Sequence, residues 1–184
     1  MKMLLPVLAL LLVSITFSAT PSIAEDKVEL FVDEGRTVCS LSDNTPAVVS
    51  LHVFLTGPDN ATLVGFKATL PDCWQGATWL ADVTPYVSIG TSQGEMSVAF
   101  GQCLTPPVHA VEIQVATSGT SLPCCEVKIL QPISFPLQIV DCGFAEVNAA
   151  VGQSVMVNPN ASCPCTIPLA TESSTWGRVK ALYR

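Results

Sequence analysis

Positive charge is scarce in this chain. Eight Lys and Arg stand against 15 Asp and Glu in 184 residues, a formal net charge of -7. That deficit excludes a nucleic-acid binder, which needs a basic face to neutralise phosphates. It also excludes docking on anionic lipid through a basic surface. Charge of either sign is thin, at 12% of residues, but 49% are apolar, so this is not a disordered polar chain. Aromatics are only 7% and histidine occurs twice. Cys-x2-Cys and Cys-x2-Cys-His spacings are missing, which removes the usual thiolate zinc site and covalent haem. There is no D-x-D-x-D-G calcium loop. No cofactor or metal is implied by any motif. Beyond residue 24, no run is apolar and long enough to span a bilayer.

What the chain does have begins with an address. Lys2 supplies a short positive region, and Met3 to Ala19 is an almost unbroken apolar run. Ser22 and Ala24 are the small residues that a signal peptidase needs. Residues 1–24 are therefore expected to be a signal peptide cleaved after Ala24, its only dealing with a membrane. The product would be secreted, periplasmic or held on the outer cell surface. Eight cysteines lie behind it: Cys39, Cys73, Cys103, Cys124, Cys125, Cys142, Cys163 and Cys165. An even count in an exported chain reads as a disulfide framework. Disulfide geometry disfavours bridging Cys124 to Cys125 or Cys163 to Cys165. Many pairings remain open among the roughly 105 that eight cysteines allow.

The hydrophobic period is two, not 3.6. Val28, Leu30 and Val32 alternate with polar neighbours, as do Val49, Leu51, Val53 and Leu55. Three more stripes follow: Val64 to Leu70, Met96 to Phe100, and Val111 to Val115. Shorter candidates fall at 86–90, 126–130, 136–141, 144–148 and 153–157. Alternation of this kind is what a half-buried strand requires. Turn signals separate the runs at Gly57-Pro58-Asp59-Asn60, at Ser92-Gln93-Gly94 and at Thr117-Ser118-Gly119-Thr120, and Asn148 to Gly152 reads as a final hairpin. The expected fold is all-β: a single antiparallel β-sandwich of about eight to ten strands with disulfide-stapled loops. It should occupy residues 25–170.

Residues 171–184 differ in composition and form a basic, aromatic tail. Trp176, Val179 and Tyr183 share one face of a short helix capped by Ser173 or Ser174. The tail is expected to dock on the domain, to act as an export or attachment signal carried by Trp176, Gly177, Val179, Lys180, Leu182 and Tyr183, or to be a loose end.

Catalytic motifs are few. Gly90-Thr91-Ser92-Gln93-Gly94 matches G-x-S-x-G, which needs a strand, a sharp turn and then a helix. An alternating strand follows here instead, so a hairpin turn is the stronger expectation. A small serine hydrolase using Ser92 and His109 is the enzyme alternative. His52 and His109 both fall in expected strands, with no third ligand placed beside them. Trp74, Trp79 and Tyr86 are expected to be core or edge packing rather than a sugar platform.

The whole run "VELFVDEGRTVCSL", "GFKATLPDCWQGATWL", "VSIGTSQGEMSVAFGQCLTPPVHAVEIQV", "PCCEVKIL", "IVDCGFAEVNAAVGQSVMVNPNASCPC" and "STWGRVKALYR" resembles a group of secreted, cysteine-rich bacterial proteins with a TWGxxKALY-type ending. That ending favours the signal role of the tail. The stretch "VVSLHVFLTG" followed by "LVGFKATLP" is loosely similar to cohesin-like and carbohydrate-binding sandwiches. The expected function is an exported, non-catalytic module of the cell surface or envelope, binding a protein or glycan partner. A structural subunit of the envelope or an appendage is the alternative outside the enzymes.

Overall fold

A computed structural model describes residues 25–167. All their regular structure is β, in two five-stranded sheets and one three-stranded sheet. The first sheet runs, in spatial order, β12 (Ala150–Val151), β1 (Lys27–Phe31), β3 (Ala47–Thr56), β8 (Val108–Thr117) and β5 (Thr78–Val83). The second runs β11 (Glu146–Asn148), β10 (Gln138–Asp141), β4 (Ala61–Phe66), β7 (Met96–Leu104) and β6 (Val87–Gly90). The small third sheet is β2 (Ser40–Leu41), β13 (Val155–Val157) and β9 (Cys125–Val127).

The alternating stripes become the inner faces. Leu30, Leu51, Val53, Leu55 and Ile113 from the first sheet join Val64, Phe66, Met96, Val98 and Ile139 from the second in one buried cluster. Each such side chain contributes about 1.5–3 kcal/mol relative to exposure. Val127, Val155 and Val157 of the third sheet belong to the same core.

The sandwich is as expected in class but differs in three details. Its extra strands are short or irregular: β2, β12 and the edge strand β5 carry no alternating stripe, so periodicity does not find them. Two pairings are parallel, β1 with β12 and β13 with β2. The final hairpin expected around Asn148 to Gly152 is absent. Instead β11 folds back on β10, β12 crosses to β1, and β13 pairs with β9 and β2. Turn residues mark a change of direction but do not say which sheet receives the next strand. By contrast, Ser92-Gln93-Gly94 does close a hairpin, with Gly90 opposite Met96.

All eight cysteines are paired, as Cys39–Cys165, Cys73–Cys125, Cys103–Cys142 and Cys124–Cys163, with Cα–Cα separations of 5.8, 5.5, 5.5 and 5.7 Å. Three of the four touch the strands of the third sheet or their flanks. That region holds a second device, the buried carboxylate of Asp43. It accepts hydrogen bonds from the Trp74 indole (3.1 Å), the Gly119 backbone (2.8 Å) and the Ser121 hydroxyl. Burial works to raise its pKa, but these donors, with Thr117, outweigh it and hold the carboxyl below its ordinary value. The expected tail, with Trp176 to Tyr183, and the signal segment lie outside the described residues.

Candidate functional site

The outward-pointing residues of the second sheet form an apolar face, covered at Gly65 by the Phe135 ring and open elsewhere. Pairing register places Val87 opposite Ala99, Ala99 opposite Leu63, and Leu63 opposite Val140. These four therefore make one row across β6, β7, β4 and β10, about 14 Å wide at the usual strand spacing. Beside it runs a second row, Ile89, Ser97, Gly65 and Gln138. None of the eight is ionisable. Val87 is 72% exposed and Ile89 76% exposed. A β-branched apolar pair this open on an edge strand is unusual in a structure that buries its other stripes so fully.

One end of this face deepens into a groove of about 510 Å³ lined by Leu63, Ala99, Gly101, Val140, Phe144 and the Cys103–Cys142 bridge, among others. Gly101 has φ +71°, and nothing lies within 4 Å of where its Cβ would stand, so the groove is open above it. Phe144 guards the rim and is 82% exposed. Its φ is +64°, in the left-handed region that bulky residues avoid. The turn is held by Asp141, whose carboxylate accepts from the backbone N–H of Gly143 and Ala145 at 2.8 Å each. A strained backbone thus holds an aromatic ring out in solvent, a combination expected of a contact residue. At the other end, Glu95 accepts from the backbone N–H of Ile133 and, at 2.6 Å, of Ser134, fixing the loop that carries exposed Ile133. The Ser134 contact leads the lowering of the Glu95 pKa.

Ser92 is no nucleophile elbow. It is wholly buried in the β6–β7 turn, and its hydroxyl donates to Asp82 Oδ1 at 2.6 Å. Its own backbone N–H donates to Asp82 Oδ2 at 2.8 Å. No histidine is among its hydrogen-bond partners. Ser92 therefore braces the hairpin that presents Val87 and Ile89. The aromatics behave as packing: Trp74 is buried, Trp79 donates to Asp82 Oδ1 at 3.1 Å, and Tyr86 meets Phe100 edge-on at 5.0 Å.

The two histidines need a correction. They lie on the outer face of the first sheet with His52 Nδ1 3.2 Å from His109 Nε2, and a third side chain, Glu34, does join them. Two features hid this from the sequence. Simple alternation from Val111 and Ile113 would turn His109 inward. A bulge opposite Val53 and Phe54 makes Ala110 and Val111 both point into the core, so His109 re-emerges on the outer face. Glu34 comes from the β1–β2 connection, where alternation gives no guidance.

No family model and no curated protein matches the chain. Solved structures do match, and the class they define is the cohesin-like β-sandwich. A cohesin module from a Clostridium perfringens family 33 glycoside hydrolase superposes with a TM-score of 0.53 at 7% identity, covering 74% of this chain and 99% of that one. The third cohesin of ScaC from Acetivibrio cellulolyticus, solved in complex with the ScaB dockerin, gives 0.51 at 12% identity over 74% of this chain and 99% of that one. A non-cellulosomal cohesin from the archaeon Archaeoglobus fulgidus gives 0.52 at 7% identity, covering 73% and 91%. At such identities the likeness is one of fold.

Proposed function

We propose that this chain is an exported, non-catalytic adhesion module that docks a protein partner on the outer face of its second sheet. The carrying observation is the register-aligned row Val87, Ala99, Leu63 and Val140, apolar and uncharged across four strands. Its width of about 14 Å accommodates one α-helix, which is about 10–12 Å across with side chains. The cohesin-like fold supports the reading, since the ScaC neighbour was solved with a dockerin seated on it. A protein is favoured over a glycan because, among the described residues, Trp74 is buried and Trp79 is tied to Asp82. The four bridges favour an oxidising compartment and so support export. The tail containing Trp176 and Tyr183 is proposed as the attachment signal.

The test compares the full chain with its Val87→Asp, Ile89→Asp double variant. Both positions are exposed on an edge strand, so melting temperature should stay within a few degrees of wild type. Envelope extract of the native host is passed over each protein. A partner retained by wild type and lost, by roughly 100-fold in Kd, from the double variant supports the reading. Equal retention by both sinks it. Light scattering on the purified chain separates out the structural-subunit alternative, which requires self-association abolished by the same substitutions. The intact mass of the native protein tests export: a start at Glu25 supports signal cleavage, and a retained Met1 refutes it.

A further inference from the structure

The outer face of the first sheet carries a site of a different kind. His52 and His109 stand on neighbouring strands, and the ligand atoms of Glu34, His52 and His109 all lie within 4.8 Å of one another. Among the described residues no other trio of His, Cys, Asp and Glu comes together in this way. We propose that Glu34, His52 and His109 bind a divalent transition metal of the zinc type, with three protein ligands and a fourth position open to solvent.

Geometry argues first. Two nitrogens bound to one tetrahedral zinc at about 2.05 Å are about 3.3 Å apart. His52 Nδ1 and His109 Nε2 are already at 3.2 Å. Two imidazoles with one carboxylate and an open fourth position form a known donor set for zinc. Without metal, the close nitrogens share one proton in a hydrogen bond. A metal takes both lone pairs, and each neutral ring keeps its proton on the other nitrogen.

Preorganisation argues second. Glu34 sits in a turn held by Asp33, whose carboxylate accepts from Thr37 N (2.9 Å), Thr37 Oγ1 (2.8 Å) and Val38 N (2.6 Å). Cys39 then ties the end of that loop to Cys165. His52 is only 7% exposed and Phe54 stacks on His109 at 4.9 Å between centroids, so both rings have little freedom. Such rigidity lowers the entropic cost of binding.

Charge argues third. Glu112 is the Cα partner of His52, and its carboxylate accepts from Ser50 Oγ at 2.6 Å and Gln114 Nε2 at 3.3 Å. As the cross-strand partner of His52 it places a further negative charge beside the pair, which favours a bound cation. Arg36, the cation on the same loop as Glu34, is turned over the Phe54 ring at 5.7 Å.

The experiment titrates the disulfide-intact full chain with zinc chloride by calorimetry while the two imidazoles are followed by NMR. Two histidines are the whole complement of the chain, so assignment is unambiguous. One equivalent should bind with a Kd of about 1 µM or tighter, shifting both imidazoles together. His109→Gln should weaken binding by about 100-fold or more, a cost of ~2.7 kcal/mol or more. Glu112→Gln, which removes that neighbouring negative charge, should weaken it by about threefold. Glu34→Gln, at an exposed position with little effect on folding, should weaken it by at least about tenfold and so tests the third ligand even if a buried variant misfolds. Absence of heat and of imidazole shifts at about 1 mM zinc, more than 100-fold above the expected Kd, overturns the proposal. So does binding left intact in His109→Gln or Glu34→Gln.

Discussion

The two large sheets treat their outer faces in opposite ways. The first sheet turns Glu29, Ser50, His52, Thr56, Glu112 and Gln114 outward and joins them to one another: Ser50 to Glu112, Thr56 to Glu29, His52 to His109. Arg36 and its loop lean over Phe54. The second sheet turns outward the apolar side chains of Val87, Ile89, Ala99, Leu63 and Val140, and the ring laid among them is Phe135, over Gly65. Both sheets feed the same core with equal thoroughness, so the difference is not one of stability. A face that satisfies its own polar groups has no need of a partner. A face left apolar and flat loses contact with water only when something else covers it.

The sharpest way to break this contrast is to cut the polar network. Glu112→Ala leaves the Ser50 hydroxyl and the Gln114 amide without their acceptor and should cost about 2 kcal/mol in urea denaturation. The matched change on the second sheet, Ser97→Ala, should cost less than about 0.5 kcal/mol. Equal losses would mean that the two faces are built alike. Next in size is a gain. Phe144→Asn relieves a left-handed backbone and should stabilise the domain by about 1 kcal/mol while weakening partner capture. A variant both less stable and fully binding would remove Phe144 from the contact surface.

Acid should also act on a carboxylate away from both faces. Asp43, held below its ordinary pKa despite burial, binds fewer protons folded than unfolded. Its stabilisation is complete above the unfolded value and is lost as pH falls through the folded one. Urea midpoints should therefore fall steeply below about pH 4, and Asp43→Asn should flatten that fall while lowering the midpoint at pH 7. An unchanged acid limb would place the sensitive carboxylate elsewhere. Smallest is Arg36→Ala, expected to cost about 0.5 kcal/mol through the lost contact with Phe54. A cost beyond about 2 kcal/mol would show that the loop, and not the sheet, organises this face.

Much of this was legible in the sequence where a period of two survives. Val28 and Leu30, Leu51 to Leu55, Val64 and Phe66, Met96 to Phe100 and Ile113 were all placed in the core by alternation alone. The same period marks Val87 and Ile89 as strand residues, but alternation does not show which strands become edges, and their exposure follows from having no neighbour beyond β6. The histidine cluster was hidden by one bulged residue, Ala110, and by a loop. Cysteine spacing reduces the pairings without choosing one, because the choice depends on β13 reaching β2 across more than a hundred residues. Phe144 carried no signal, since left-handed strain is a property of the folded turn.

The Cys39–Cys165 bridge has a mechanical meaning. It joins residues 126 apart in sequence, and the strands near them, β1 with β12 and β2 with β13, run parallel. Opposed pulls along two parallel neighbours load all their hydrogen bonds together in shear, rather than opening them one at a time like a zip. If those strands give way, tension passes directly through the sulfur–sulfur bond. About 440 Å of chain is then shielded from extension. A tether pulled from both sides would lengthen only at its edges, and the bare sheet face within the shielded segment would keep its shape under load.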